Sequence, residues 1–358
     1  MKIIEVSLKD RSYPIWVKPG LLDQIPQLLA SYRKRRWVVI TQRSVKDMCD
    51  GTLIKTLASA GVRASTIVIP EGENAKSLSQ VESMYQQLTE LDCDRSTLLV
   101  AFGGGVVGDI TGFLAATYLR GVDYVQVPTT LLAMIDSAIG GKTGVNLPQG
   151  KNLVGAFYQP EGVVIDPNLV ESLPHREMVS AMAEMLKYGA IRDRNFFDRV
   201  SENLDSIVLR EDDTMLTEAI ARCCEIKAEV VSRDEQEKDL RRILNFGHTI
   251  GHALETTMGF GVLKHGEAVA YGMILAGSIS RDLGHLSDED FYHLESAVRK
   301  LPLPELGEID SSSLLETVKR DKKAKGGKLH FVLLQGLGHA IISDQVVDRH
   351  IIRALASL

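Results

Sequence analysis

No stretch of this chain is apolar enough to span a membrane; its longest hydrophobic runs fall far short of the roughly 20 residues required. The opening run Met1-Lys2-Ile3-Ile4-Glu5 meets charge too early to form a signal-peptide core. Cysteine is scarce. The four present (Cys49, Cys93, Cys223, Cys224) form no Cys-x-x-Cys pair and no disulfide-type spacing, so a reducing, cytoplasmic setting is expected. Positive charge is not in excess: Lys+Arg total 41 against Asp+Glu 47, a net charge of -6, which gives no support to a nucleic-acid partner. Repeats and low-complexity segments are also missing.

What remains is the composition of a water-soluble globular chain with a substantial core, 44% hydrophobic and 25% charged. A length of 358 residues suits one large or two ordinary domains. Residues 1–17 read as a hairpin with a charged turn at Lys9-Asp10-Arg11. From about residue 37, short apolar runs at 37–40, 65–69, 97–102, 124–127 and 163–166 alternate with helical patterns. That alternation predicts an α/β fold with a mostly parallel, Rossmann-like sheet. After Pro167 helical periodicity dominates, apart from a strand pair at 328–343. The expected organisation is a nucleotide-binding α/β domain over 1–168 and a mainly helical domain over 169–358, with a ligand cleft between them.

The run 97–102 leads straight into Gly103-Gly104-Gly105-Val106-Val107-Gly108-Asp109, and a helical pattern follows. Strand, glycine turn and helix form the setting in which backbone N–H groups meet a pyrophosphate. A tight turn with no ligand would look the same. Gly140-Gly141-Lys142-Thr143 resembles the tail of a Walker A loop, but Asp136 stands where the first glycine is required, which argues against an ATPase. Lys142 and Lys151 are candidate anion binders, although a solvated surface charge is the commoner role for either.

The stretch 240–254 carries more chemistry. Placed on one helix at about 100° per residue, Arg241, Asn245, His248 and His252 share an arc of roughly 60°. Ile243, Leu244, Phe246, Ile250 and Leu254 surround them, so the helix reads as buried and its polar groups need partners. Gly247 and Gly251 would admit a neighbouring backbone. Histidines four apart can share a metal, and His265 and Glu184 are further candidate ligands for zinc or a similar ion. Spacing alone does not say which of these meet. Glu184 and Lys187 fall on one helix face. Lys227 lies on the apolar stripe of 215–231, either snorkelling to water or aimed at an anionic ligand.

These residues sit inside strings that together resemble the 3-dehydroquinate synthases over essentially the whole chain. The strings are PEGE at 70–73 with KS at 76–77, GGGVVGD at 103–109, YLRGV at 118–122, VPTTLLAMIDS at 127–137, GGKT at 140–143 and GKNLVG at 150–155. They continue with AEMLK at 183–187, DE at 234–235, LNFGHTIGHA at 244–253, HGEAV at 265–269 and DKK at 321–323. The resemblance implies metal ligands Glu184, His248 and His265, and so moves His252 from the metal to the substrate as an acid/base group. It implies Glu237 as a proton-handling residue and Lys142, Lys187 and Lys227 as catalytic cations. Substrate contacts would be Arg120, Asp136, Lys142, Asn152, Lys187, Lys227, Arg241, Asn245, His252 and one of Lys322 or Lys323. NAD contacts would be Gln42, Ser44, Glu73, Lys76, Gly104, Gly105, Val106, Asp109, Thr129, Thr130, Lys142 and Lys151. A homodimer is implied, with Arg120 reaching the neighbouring subunit's site.

At Gln42 and Ser44 the family usually has an aspartate and an asparagine. A carboxylate normally pairs with the ribose diol of NAD, so its loss predicts weaker exclusion of NADP. The implied substrate, 3-deoxy-D-arabino-heptulosonate 7-phosphate, is anionic, which explains a cluster of cations in an acidic chain. The implied reaction is a transient oxidation at C5 by NAD, phosphate elimination, re-reduction and an intramolecular aldol closure, assisted by one divalent zinc or cobalt ion. Three rivals remain: another sugar-phosphate cyclase, a metal-dependent polyol dehydrogenase that accumulates NADH, and a non-catalytic NAD-binding scaffold.

Overall fold

A computed structural model describes residues 1–48, 51–259, 261–307, 309–324 and 330–356, with the side chains of 48 and 320–324 left aside. The chain divides into two compact units, Met1–Leu173 with Asp213–Gln236, and Pro174–Asp212 with Glu237–Leu358.

The first unit is built on a seven-stranded sheet of order β1-β2-β9-β6-β5-β3-β4. Its strands are β1 (Lys2–Val6), β2 (Tyr13–Val17), β3 (Trp37–Gln42), β4 (Ala64–Ile69), β5 (Leu98–Gly103), β6 (Asp123–Pro128) and β9 (Val163–Ile165). Only β1 runs antiparallel; the other neighbours are parallel. The expected runs thus became strands to within a residue or two. Burial on both faces explains why they read as continuous apolar segments. Alternate residues divide between two cores. Val38, Ile40, Leu99 and Ala101 join one cluster, while Trp37, Val39, Leu98, Val100 and Phe102 join the other. Each large side chain so buried contributes roughly 1.5–3 kcal/mol.

Two features of this unit go beyond the sequence reading. The segments around Lys142 and Lys151 form an antiparallel hairpin, β7 (Lys142–Leu147) and β8 (Gly150–Phe157), which the apolar runs did not mark. In addition, the helix Asp213–Arg233 packs on β1, β2 and the turn Ala133–Ser137, so it belongs with the sheet unit despite lying beyond the expected boundary at 168/169. Its stripe of Leu216, Ile220, Cys223 and Val230 is fully buried there. That contact, invisible to composition, draws a C-terminal helix into the N-terminal unit.

The second unit is mainly helical, as expected, with one strand pair, β10 (Phe331–Leu334) and β11 (Ala340–Ser343). Its core gathers Leu254, Leu275, Ile279, Leu314, Phe331 and Leu333. The helix His265–Asp282 packs on both His175–Arg192 and His248–Met258. The single helix expected over 240–254 is a correction. A 3-10 helix, Leu240–Asn245, ends at Phe246, and an α-helix restarts at His248. Gly247 is the cause, since it takes φ +79°, a left-handed conformation that breaks the helix. A Cβ there would stand 2.8 Å from the Val269 carbonyl oxygen, and one on Gly272 would stand 2.0 Å from the Gly247 carbonyl oxygen. Backbone therefore meets backbone, as the glycines suggested.

Candidate active site

In the first unit, β5 delivers the chain to Gly103-Gly104-Gly105, and the helix Gly105–Thr117 begins with its N-terminal amides at the turn. The Thr129 N–H donates to the Gly103 carbonyl at 3.0 Å. Thr130 stands beside Gly104, where an added Cβ would lie 3.1 Å from its methyl group. Lys76, only 3% exposed, donates to Asp109 Oδ2 at 2.7 Å and to Asn152 Oδ1 at 2.5 Å, with Glu73 Oε1 at 3.5 Å. Asn146 completes the group, donating to Glu73 at 2.9 Å and accepting from the Asn152 N–H at 2.8 Å. Four residues expected at the nucleotide and substrate thus meet in one network. Loss of water pushes the Asp109 carboxyl up to about 6, against the pull of Lys76.

Lys227 does not snorkel. It is buried, and its Nζ donates to the Asp136 carbonyl at 2.6 Å and to the Asp136 carboxylate. Lys142 and Lys151 are exposed at the first positions of β7 and the second of β8. Arg120 is exposed with φ +68°, beside Leu119 at φ +50°. At the end of β3, Gln42 Nε2 donates to the Pro70 carbonyl at 2.9 Å and the Ser44 N–H donates to Glu71 Oε1 at 2.8 Å. A carboxylate therefore stands at this end of the sheet after all, supplied by the neighbouring strand's loop. Sequence reasoning missed it because Glu71 lies 27 residues from Ser44.

In the second unit the helix His175–Arg192 presents Glu184 and Lys187, both essentially inaccessible, as an ion pair on one face. Glu184 Oε1 lies 3.5 Å from His248 Nε2 and 3.6 Å from His265 Nε2. His248 opens one helix and His265 another. The nitrogens of His248, His252 and His265 also lie within 4.8 Å of one another. Two donor triads are thus geometrically open, three histidines or Glu184 with His248 and His265. Glu184 decides between them. Its Oε2 is paired with Lys187, but its buried Oε1 has no hydrogen-bond donor and faces the two imidazole nitrogens, a position a cation would fill. His252, by contrast, is exposed. The residues therefore fit a divalent ion held by one carboxylate and two imidazoles.

Electrostatics support neutral ligation at His248. Burial first, then Lys187 and the two neighbouring histidines, hold its pKa well below the ordinary value, and Nδ1 faces the Phe246 carbonyl at 3.2 Å. Burial also lowers His265, but Glu255 and Glu184 outweigh it and its pKa stands above the ordinary value. Arg241 is buried, and Asn245 donates to Glu237 Oε1 at 2.6 Å. Glu237 is held at φ +56°, an uncommon conformation for a non-glycine residue. Lys322 and Lys323 belong to the helix Ser311–Ala324, with side chains outside the described residues.

A glycine turn on a parallel sheet and a histidine–carboxylate cluster among helices define the class, that of dehydroquinate synthase-like cyclases. ValA, a 2-epi-5-epi-valiolone synthase from Streptomyces hygroscopicus subsp. jinggangensis solved with NAD+ and Zn2+ bound, superposes with a TM-score of 0.90 at 30% identity, covering 98% of both chains. A 2-deoxy-scyllo-inosose synthase complexed with carbaglucose-6-phosphate, NAD+ and Co2+ also gives 0.90, at 27% identity over 99% of each chain. Within that class, residues 66–180 match the 3-dehydroquinate synthase N-terminal family and residues 181–324 its C-terminal counterpart. A 3-dehydroquinate synthase of Acidithiobacillus ferrooxidans is 44% identical over 99% of this chain and 98% of its own length. The chain belongs to the 3-dehydroquinate synthase family.

Proposed function

We propose that this chain converts 3-deoxy-D-arabino-heptulosonate 7-phosphate to 3-dehydroquinate and inorganic phosphate, a carbon–oxygen lyase reaction of the shikimate pathway. The observation that carries the reading is the meeting of Glu184, His248 and His265 beside Lys187, which a binding scaffold has no need of. Kinship at 44% identity selects this substrate over those of the structural neighbours.

When bound, NAD supplies a reversible hydride acceptor and a divalent zinc or cobalt ion supplies a Lewis acid for the substrate hydroxyls. The first unit offers the glycine turn at 103–105, with Lys76, Asp109, Thr129 and Thr130 around it, for the dinucleotide. Glu184, His248 and His265 are the ligands that hold the metal. Lys187 disfavours a proton on His248 and so keeps that ring available as a neutral donor. Within the first unit, Lys142, Asn152 and Lys227 are cations and an amide suited to a carboxylate or phosphate; within the second, Lys187, Arg241 and Asn245 are suited to the same groups. His252, the exposed imidazole, moves protons at the substrate hydroxyls, and Glu237, fixed by Asn245, is a second proton-handling group.

We read the enzyme as cytoplasmic and homodimeric. No helix among the described residues is long and apolar enough to cross a membrane. Leu153 and Phe157 stand 58% and 44% exposed on β8, which pairs only with β7 among the described residues, an edge suited to a second copy. The decisive assay is phosphate release from the heptulosonate phosphate by NAD-loaded, metal-replete protein. Release without NADH accumulation, lost with chelator and restored by metal, is expected. Stoichiometric NADH would identify a polyol dehydrogenase instead, and no release would sink the proposal.

A further inference from the structure

The helix His248–Met258 carries a third polar group on the face that bears His248 and His252. Glu255 lies three residues beyond His252 and seven beyond His248, so all three project to one side over successive turns. Its side chain is 11% exposed, and its Oε2 stands 3.6 Å from His265 Nδ1. On the opposite edge of the same ring, His265 Nε2 faces Glu184 Oε1 at 3.6 Å. The imidazole is thus held between two carboxylates, one on each nitrogen.

Resting on the metal-site reading above, we propose that Glu255 is the positioning carboxylate of His265: it accepts from the Nδ1–H, fixes the ring's orientation and tautomer, and leaves Nε2 to the metal. An imidazole can coordinate through Nε2 only if any proton sits on Nδ1, and that N–H then requires an acceptor. His248 solves this with a backbone oxygen, the Phe246 carbonyl 3.2 Å from its Nδ1. The helix break at Gly247 exposes that carbonyl. His265 is the first residue of its helix, preceded by Lys264, and its Nδ1 turns instead to the side chain of Glu255 on the neighbouring helix. At 3.6 Å the pair stands slightly beyond hydrogen-bond length. A carboxylate makes His265 the more basic and more electron-donating ligand, while the backbone-held His248 stays the weaker one. His265 is also the more exposed ring, 34% against 11%, so it needs a fixed outer partner more than His248 does.

The test is metal binding by the full chain, read apart from turnover. Apparent Co2+ and Zn2+ dissociation constants are measured by chelator competition for wild type, Glu255→Ala and Glu255→Gln, alongside the visible absorption of the Co2+ forms. A loss of roughly 10- to 100-fold in affinity is expected for the alanine variant, with an altered Co2+ spectrum. Glutamine keeps an acceptor but no charge and falls between. Melting temperatures of the metal-free proteins should agree, and should Glu255→Ala fail to fold, Glu255→Gln carries the comparison. Affinity within about threefold of wild type and an unchanged Co2+ spectrum in the variants would overturn the assignment while leaving the metal site standing. A wild-type chain that binds neither metal would remove both readings together.

Discussion

The two units prepare their polar groups in opposite ways. In the sheet unit the expected ligand-binding side chains already have partners: Lys76 with Asp109 and Asn152, Lys227 with Asp136, and Glu73 with the neighbouring Asn146. In the helical unit a fully buried carboxylate, Glu184, has hydrogen-bond capacity left over and faces two imidazole nitrogens. The first arrangement is held by its own contacts, so a ligand perturbs it little. The second, on the metal-site reading proposed above, is completed by a cation. Removing a group should therefore cost mainly local stability in one unit and mainly metal binding in the other.

The sharpest way to break this contrast is Glu184→Ala. Several kcal/mol of Lewis-acid stabilisation rest on the metal, so turnover should fall by at least about 10³-fold. Added zinc should raise the wild-type melting temperature and not the variant's. An equal rise in both would show that the carboxylate is not a ligand. Lys227→Ala follows, with a loss of about 10²- to 10³-fold in turnover. The buried contact with Asp136 puts the cost in stability at roughly 1–3 kcal/mol, below the usual cost for a fully buried pair because the Asp136 side chain is 27% exposed. Denaturant unfolding checks it, and an unchanged midpoint would mean that the pair is not held in solution.

A smaller effect is expected from pH. A histidine ligand must lose its proton before it binds metal. The pKa of His265 is raised and that of His248 lowered, so protons compete first at His265. Metal affinity should begin to fall as pH drops through a value above about 6.5, by roughly tenfold per unit below it. An onset well under that value would identify His248 as the limiting ligand. The smallest change is expected from Glu71→Gln. If Glu71 stands in for the missing carboxylate at position 42, NAD affinity should drop by roughly five- to tenfold and NADP affinity should not. Parallel losses for both dinucleotides would restore the expectation that Gln42 and Ser44 leave NADP weakly excluded.

Much of the fold could be read from the order of residues. Continuous apolar runs specify buried parallel strands, and five of them appeared where expected. The hairpin 142–157 was not legible, because its strands are rich in glycine and lysine and one of them is largely exposed. The helix break at Gly247 was visible as a glycine but not as a left-handed one, since only the close approach of Val269 and Met273 demands that conformation.

The sequence by itself determined the strands, the glycine turn, the polar set and its kinship, because these depend on spacing along the chain. Tertiary structure alone decided which polar groups meet. Glu184, His248 and His265 are brought together from three helices by the packing of those helices, and Glu71 reaches Ser44 only because β3 and β4 lie side by side. Local periodicity orients a side chain on its own element; the position of that element against another is set by the burial of both, which no single window of sequence contains.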